Sequence, residues 1–257
     1  MVLADLGLAR RIESAEAENA RATVGGQPAV LDVAGGCAVF VGAESPLTQA
    51  VGLGLSGRVR EDEIRSMEEF FQERGANVSL ELCPLANAGF VESLSTRGYR
   101  VTQFNNVLVR KLAELGECPS PRVRRAGPEE REMWSRAVGR GFFEQGELTE
   151  AEMDVGRAIF NMPGGFCYFS STEGEVAGGA GMSNHGGLAL FFADATIARF
   201  RRAGLHSELI AARLADAAAQ GCDLASASTL PGSGSQRNFE RAGFQVVYTR
   251  VTLVKNF

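Results

Sequence analysis

A chain of 257 residues, 45% hydrophobic and 22% charged, has the make-up of a soluble globular protein, long enough for one large or two small domains. A net charge of −5 speaks against general nucleic-acid binding, although Arg199–Arg202 is locally basic, and five scattered cysteines without a CxxC pair, with only two histidines, give no zinc pattern, so no metal is expected. No apolar run reaches membrane-spanning length and the N-terminus turns charged too early for a secretory signal, so a cytoplasmic, reducing setting without a membrane partner is expected.

In chain order, residues 4–22 read as an amphipathic helix with Leu6, Leu8, Ile12 and Ala15 on one side. Strands are expected at Ala29–Val33, at Cys37–Val41 after a Gly35-Gly36 turn, and at Leu47–Leu55. Glu61–Gln72 predicts a helix ended by Gly75, and Val78–Cys83 a strand stopped by Pro84. A short helix from Ala88 leads to Arg97-Gly98-Tyr99, and Val101–Val109 closes the first half. Gly116, Pro119 and Pro121 mark Ala113–Pro121 as a linker.

The second half opens with a strand at Arg122–Ala126 and a helix that Pro128 starts and that runs to about Val138. Thr149 and Glu152 have capping-box spacing for a helix over Ala151–Asn161. Gly165–Ser171 and Val176–Met182 form a hairpin pattern around Thr172–Glu175. An apolar strand, Leu188–Ile197, then runs into the loop Ala198–Gly204 and an alanine-rich helix, Leu205–Gln220, closed by Gly221. The loop delivers Arg201, Arg202 and Gly204 to the helix start, where unpaired N–H groups and the positive dipole end suit a phosphate. A strand at Asp223–Ser228, a short helix ending in Glu240-Arg241-Ala242-Gly243-Phe244 and a last strand at Gln245–Val254 complete the chain.

The halves are in step. Gly98-Tyr99-Arg100-Val101 matches Gly243-Phe244-Gln245-Val246, 145 residues on, and Leu108-Val109-Arg110 falls on Leu253-Val254-Lys255 at the same spacing. Two similar α/β domains are expected, residues 1–112 and 122–257, joined by a linker at 113–121. At this spacing the loop Arg201–Ser207 falls on Ser56–Asp62, so the first copy offers Glu61, Asp62 and Glu63 at its helix start. Three carboxylates there satisfy the dipole themselves and repel a pyrophosphate, so phosphate binding is expected in the second copy alone. Gly52-Leu53-Gly54-Leu55-Ser56-Gly57 matches the dinucleotide fingerprint GxGxxG, but Leu53 and Leu55 continue a strand alternation and the acidic helix start opposes a bound pyrophosphate, leaving an oxidoreductase reading remote.

Arg201-Arg202-Ala203-Gly204-Leu205-His206 resembles the Arg/Gln-x-x-Gly-x-Gly/Ala signature of the GNAT superfamily of acyl-CoA N-acyltransferases, and the elements after it follow that superfamily's order, including an aromatic residue after Gly243. The resemblance covers the last half of the chain, and the first half only in shape. It implies an α/β (α+β) fold of two tandem GNAT-like domains, each a mixed, mostly antiparallel sheet flanked by helices, the N-terminal copy degenerate. It also implies acetyl transfer from acetyl-CoA to a primary amine, the acceptor being a small molecule, with a non-catalytic acyl-CoA-binding protein as the alternative. The chain is then a monomer or a homodimer.

The resemblance places acetyl-CoA where Leu188–Ile197 splays from Asp223–Ser228, its pantetheine arm on strand-edge groups near Thr196 and Ile197. The pyrophosphate falls to Arg201, Arg202, Ala203, Gly204, Leu205, His206 and Ser207. His206 stands where the family has Gly or Ala, and reads either as a phosphate contact or as a solvent-facing helix-start residue. A tyrosine that protonates the departing sulfur in many relatives is here Phe239, and the family's nearby Asn is Gly232 by spacing. Substitute donors are Ser233, Ser235 and Tyr248, with Ser235 read first as the N-cap of the last helix. Asp194, a carboxylate in an apolar strand, is the first candidate base, its surroundings expected to raise its pKa, unless it satisfies backbone N–H groups at a bulge. Glu173, Glu175 and His185 are weaker candidates, and Trp134, Phe142 and Phe143 read as core before pocket.

Overall fold

The computed structural model describes residues 4–24, 29–112, 120–144 and 146–257, so most of the expected linker lies outside the described residues. These residues form two compact units, Met1–Val107 with Val246–Phe257, and Leu108–Gln245. Each is a mostly antiparallel sheet flanked by helices.

Unit 1 begins with helix α1 (Leu6–Ala22), whose first turn is capped by the Asp5 carboxylate accepting from Leu8 N at 2.7 Å. Strands β1 (Val30–Val33) and β2 (Gly36–Val39) form a tight hairpin, and β2 pairs antiparallel with β3 (Gln49–Val51). Helix α2 (Glu61–Gln72) leads to β4 (Val78–Leu82), parallel to β3, then to helix α3 (Ala88–Thr96) and strand β5 (Arg100–Lys111). The core gathers Ile64, Met67 and Phe71 of α2 with Leu80 of β4 and Phe90 and Leu94 of α3. The expected strand at Leu47–Leu55 stops early because Gly52 and Gly54 take positive φ, 77° and 79°. A side chain at Gly52 would meet the Glu13 carbonyl at 2.9 Å, and one at Gly54 the Phe90 ring at 2.7 Å. These glycines serve close packing, and the loop bonds onward, Asn87 N donating to Gly54 O at 2.9 Å.

Unit 2 runs through β6 (Val123–Arg125), α4 (Arg131–Phe143), α5 (Glu150–Phe160), β7 (Gly165–Thr172), β8 (Glu175–His185), β9 (Leu188–Thr196), α6 (Leu205–Ala219), β10 (Leu224–Thr229) and α7 (Gly234–Arg241). The Thr149 capping box forms as the spacing predicts, with Thr149 N donating to Glu152 Oε2 at 2.8 Å and Glu152 N to Thr149 Oγ1 at 3.3 Å. Strands β6 to β9 pair antiparallel in sequence order, and β10 joins β9 in parallel. Leu209, Ile210 and Leu214 of α6 pack with Phe191, Phe239 and Phe244 in the main core. Trp134 packs with Phe169 and Ala195 in a second one.

The last strand, β11 (Gln245–Lys255), pairs antiparallel with β4, Val251 opposite Leu82 through Lys255 opposite Val78. The sequence groups this strand with the second copy, whereas the compact unit that holds Val246–Phe257 is the first. The neighbour of β10 in unit 2 is β5, whose last residues, Leu108–Lys111, count there. β5 and β11 begin 145 residues apart, at Arg100 and Gln245, and unit 1 holds most of both. In unit 1 β11 also brings a buried cation: Arg250, 4% exposed, is held by Glu13 and Glu16 of α1.

Candidate active site

The turn from β9 into α6 passes through Arg202 at φ 67° and Gly204 at φ 82°, a left-handed pair that brings successive amides to the helix start. A Cβ at Gly204 would have space, with nothing nearer than Arg122 Nη2 at 3.8 Å, so this glycine answers the backbone angle and not crowding. Among the described residues no side chain caps the helix. Among the described residues nothing accepts a hydrogen bond from the backbone N–H groups of Arg202 through Ser207. Glu208, the one acid in the first turn, is neutralised: Arg122 and Ser120 bind its carboxylate, and the Arg122 guanidinium holds its pKa below the usual carboxylate range. Arg122 also donates to Ala203 O at 3.1 Å, which pins the loop.

This run of amides opens on a cavity of about 680 Å³. β9 contributes Asp194, Ala195 and Thr196, α7 contributes Gly234, Ser235, Asn238 and Arg241, and α4 contributes Gly141 and Phe142. β9 and β10 stay paired only from Leu188/Leu224 to Phe191/Ala227. Just beyond, β9 carries an extra residue against β8, with Ala193 at φ 54°. The bulge ends the parallel pairing and turns Asp194 toward α6.

Asp194 lies in a chain of directed bonds. Arg213, fully buried, donates to Asp194 Oδ2 at 3.1 Å and binds Oδ1 as well. His206 Nε2 lies 3.0 Å from Asp194 Oδ1, and His206 Nδ1 lies 2.9 Å from Asn238 Nδ2. Arg241 Nη1 donates to Asn238 Oδ1 at 3.2 Å. Arg241 has only protons to give, so Asn238 presents its carbonyl to Arg241 and its N–H to His206 Nδ1. The lone pair of His206 is thereby assigned to Nδ1 and its proton to Nε2, donated to Asp194. Burial pushes the Asp194 carboxyl up, but the Arg213 guanidinium and the His206 ring outweigh it and hold the carboxyl below the usual range. The apolar, raised-pKa Asp194 expected from the strand pattern is therefore corrected: a buried arginine 19 residues on supplies the opposite field.

Other candidates shift too. Arg201 lines the cavity, but its guanidinium is committed, donating to Thr196 O at 3.1 Å, Gly141 O at 3.1 Å and Glu144 Oε1 at 2.7 Å. Arg202 has no ion-pair or hydrogen-bond partner among the described residues. The strand-edge groups expected for the pantetheine arm are also engaged, since Arg201 takes Thr196 O and Ile197 N donates to Ala177 O at 2.9 Å. Ser235 lines the cavity as the second residue of α7, and the N-cap is Ser233, whose Oγ accepts from Gln236 N at 3.1 Å. Tyr248 is not among the lining residues. It is buried in unit 1 and donates to Glu13 Oε1 at 2.8 Å, and desolvation pushes its hydroxyl pKa far up, so it is set aside as a proton donor. Phe239 is buried, its ring perpendicular to that of His206 with the centroids 5.5 Å apart. Trp134 is core as expected, whereas Phe142, 56% exposed, lines the cavity. Asn238, Arg213 and Arg241 escape sequence reasoning. Only the position of Asn238 beside Phe239, on the α7 face toward the loop, signals its part.

No protein-family model matches the chain, and no curated protein matches its sequence. Solved structures do match in fold. A GCN5-related N-acetyltransferase from Kribbella flavida aligns over 97% of this chain and 96% of its own at 18% identity, with a TM-score of 0.71. A tandem GNAT protein from the clavulanic acid biosynthesis pathway aligns over 97% and 93% at 14% identity and TM-score 0.59. A GCN5-related N-acetyltransferase from Sphaerobacter thermophilus aligns over 75% and 66% at 16% identity and TM-score 0.56. The chain thus has the fold of the GCN5-related N-acetyltransferases, in a form shared with a tandem GNAT protein.

Proposed function

We propose that the protein is an N-acetyltransferase that moves an acetyl group from acetyl-CoA to the primary amine of a small molecule, by direct attack on the thioester. The observation that carries this reading is the row of uncommitted amides from Arg202 to Ser207 at the head of α6, opening on the cavity beside the split strands. Uncommitted N–H groups, a helix dipole and the uncommitted Arg202 suit a diphosphate, which accepts hydrogen bonds and carries negative charge. Residues Arg202, Ala203, Gly204, Leu205, His206 and Ser207 hold it through backbone groups, and Arg201 shapes the loop from behind. The bulged edge of β9 at Asp194 to Thr196 faces the acyl end. Unit 1 takes no part in holding acetyl-CoA, because Glu63 there accepts the Arg60 N–H at 2.9 Å and Glu61 and Asp62 crowd the same helix start.

The test is release of free thiol from acetyl-CoA by the full chain across a panel of alkyl, aryl and sugar primary amines. Release above background with at least one amine is the expected result. Tight acetyl-CoA binding without release for any amine favours the non-catalytic acyl-CoA-binding reading, which the unreactive Phe239 ring supports.

A further inference from the structure

Proton traffic in amide formation needs a group that can both accept and return a proton near neutrality. Among the described residues lining the cavity, Asp194 is the one carboxylate and His206 the one imidazole; the arginine side chains there have only protons to give. Both oxygens of Asp194 are taken, by Arg213 and by His206, and its carboxyl is held in the ionised form. That leaves Nδ1 of His206, whose lone pair the Arg241–Asn238 bond pattern assigns and which is held by one neutral amide N–H of Asn238, where Asp194 is held by a guanidinium. The ring cannot turn freely, since Asp194 grips Nε2 and Phe239 lies perpendicular to it.

Resting on the acyl-transfer reading above, we infer that His206 is the proton carrier of the reaction, with Asp194 and Asn238 as its positioning residues. The neutral amine attacks the thioester carbon, forming the C–N bond and a tetrahedral intermediate with an ammonium nitrogen and an oxyanion. His206 Nδ1 takes one proton from that nitrogen, in place of the bond it accepts from Asn238. The intermediate collapses, the C–S bond breaks, and the same proton passes from Nδ1 to the departing sulfur. Amide and free thiol leave, and His206 returns neutral, so protons and electrons balance without a further reactant. Asp194 keeps Nε2 protonated throughout, as a buried carboxylate beside an imidazole does in hydrolytic triads. The charged groups that face the ring are Asp194 from β9, Arg213 from α6 itself and Arg241 from α7 through Asn238, with Arg202 lining the same cavity from the loop.

The experiment pairs acetyl-CoA titration calorimetry with steady-state thiol release, using the fastest amine of the panel, for the full chain and its His206→Gln and His206→Ala variants. We expect kcat to fall about 10²–10³-fold in both, as loss of a general acid–base group does. Acetyl-CoA affinity stays within about threefold, and an acid limb of unit slope in the wild-type kcat/KM profile, calculated on the concentration of neutral amine, disappears from His206→Gln. Rate losses below about fivefold overturn the inference, as does a loss of affinity that accounts for the whole loss of rate, which makes His206 a phosphate-loop residue only. Should both variants misfold by circular dichroism, the wild-type profile on the neutral-amine scale decides, since a profile without an acid limb there rules out a proton acceptor on the protein. Wild-type chain that neither binds acetyl-CoA nor releases thiol fails the acyl-transfer reading itself, a result distinct from binding and turnover that ignore His206.

Discussion

At the scale of single residues, the site turns on a buried ion pair that the strand pattern around Asp194 does not announce. Arg213 is fully buried and its charge is balanced by Asp194, so removing either partner strands the other away from water. Asp194→Asn is expected to cost about 3–5 kcal/mol of unfolding free energy at pH 7, read by urea denaturation. The sign of its pH dependence follows from the lowered carboxyl. The folded pKa lies below the unfolded value of about 3.9, so the stabilisation is complete above that value and is lost as pH falls through the folded pKa. The gap between wild type and Asp194→Asn should therefore narrow as pH drops below about 4, and a gap that widens there contradicts the assigned pair. Asp194 stands out in the sequence as a lone carboxylate among apolar neighbours, but its partners lie 12 and 19 residues on, at His206 and Arg213. Their convergence depends on how α6 packs on β9, which no local pattern carries.

At the scale of elements, the start of α6 was legible because Gly204 and the alanine-rich run mark a helix entrance by backbone chemistry alone. What each arginine does was not, since adjacent guanidinium groups read alike until their acceptors are placed. Arg201 ties the loop to the end of α4, whereas Arg202 is uncommitted among the described residues. Arg202→Ala should therefore weaken acetyl-CoA binding about 10- to 150-fold, a charge-assisted hydrogen bond being worth about 1.5–3 kcal/mol, with little change in melting temperature. Arg201→Ala should lower the melting temperature more than Arg202→Ala does. Calorimetry and thermal melts on the two variants separate these roles, and the reverse pattern would overturn them. The capping box at Thr149 and the helix Glu61–Gln72 form where the spacing puts them, being local bonds between residues a turn apart. The strand at Leu47–Leu55 breaks early because its glycines answer to α1 and α3 packing, which is distant in sequence.

At the scale of the molecule, the 145-residue repeat was visible as matched Gly-aromatic pairs and reappears as equivalent helices and strands, α2 with α6 and β4 with β10. The place of β11 beside β4 was not visible, because a strand's neighbour is set by packing far along the chain and leaves no local pattern. Deleting Val246–Phe257 is expected to unfold unit 1, since it removes the β4 ladder and leaves Glu13 buried without Arg250. A truncated chain with an unchanged cooperative melt contradicts that assignment. The proposed function separates the copies through the charge at one helix start, where Ser207 of the second copy falls on Asp62 of the first. The most direct measurement is therefore acetyl-CoA titration of Ser207→Asp, which gives α6 the acid that α2 already carries. An aspartate in a first helical turn favours the helix by about 0.3–1 kcal/mol, yet repels a diphosphate by about 2–3 kcal/mol at close range. A melting temperature held or raised, one site per wild-type chain, and affinity in the variant lowered about 30- to 150-fold are expected. A variant that binds acetyl-CoA as tightly as wild type would contradict the proposed diphosphate site.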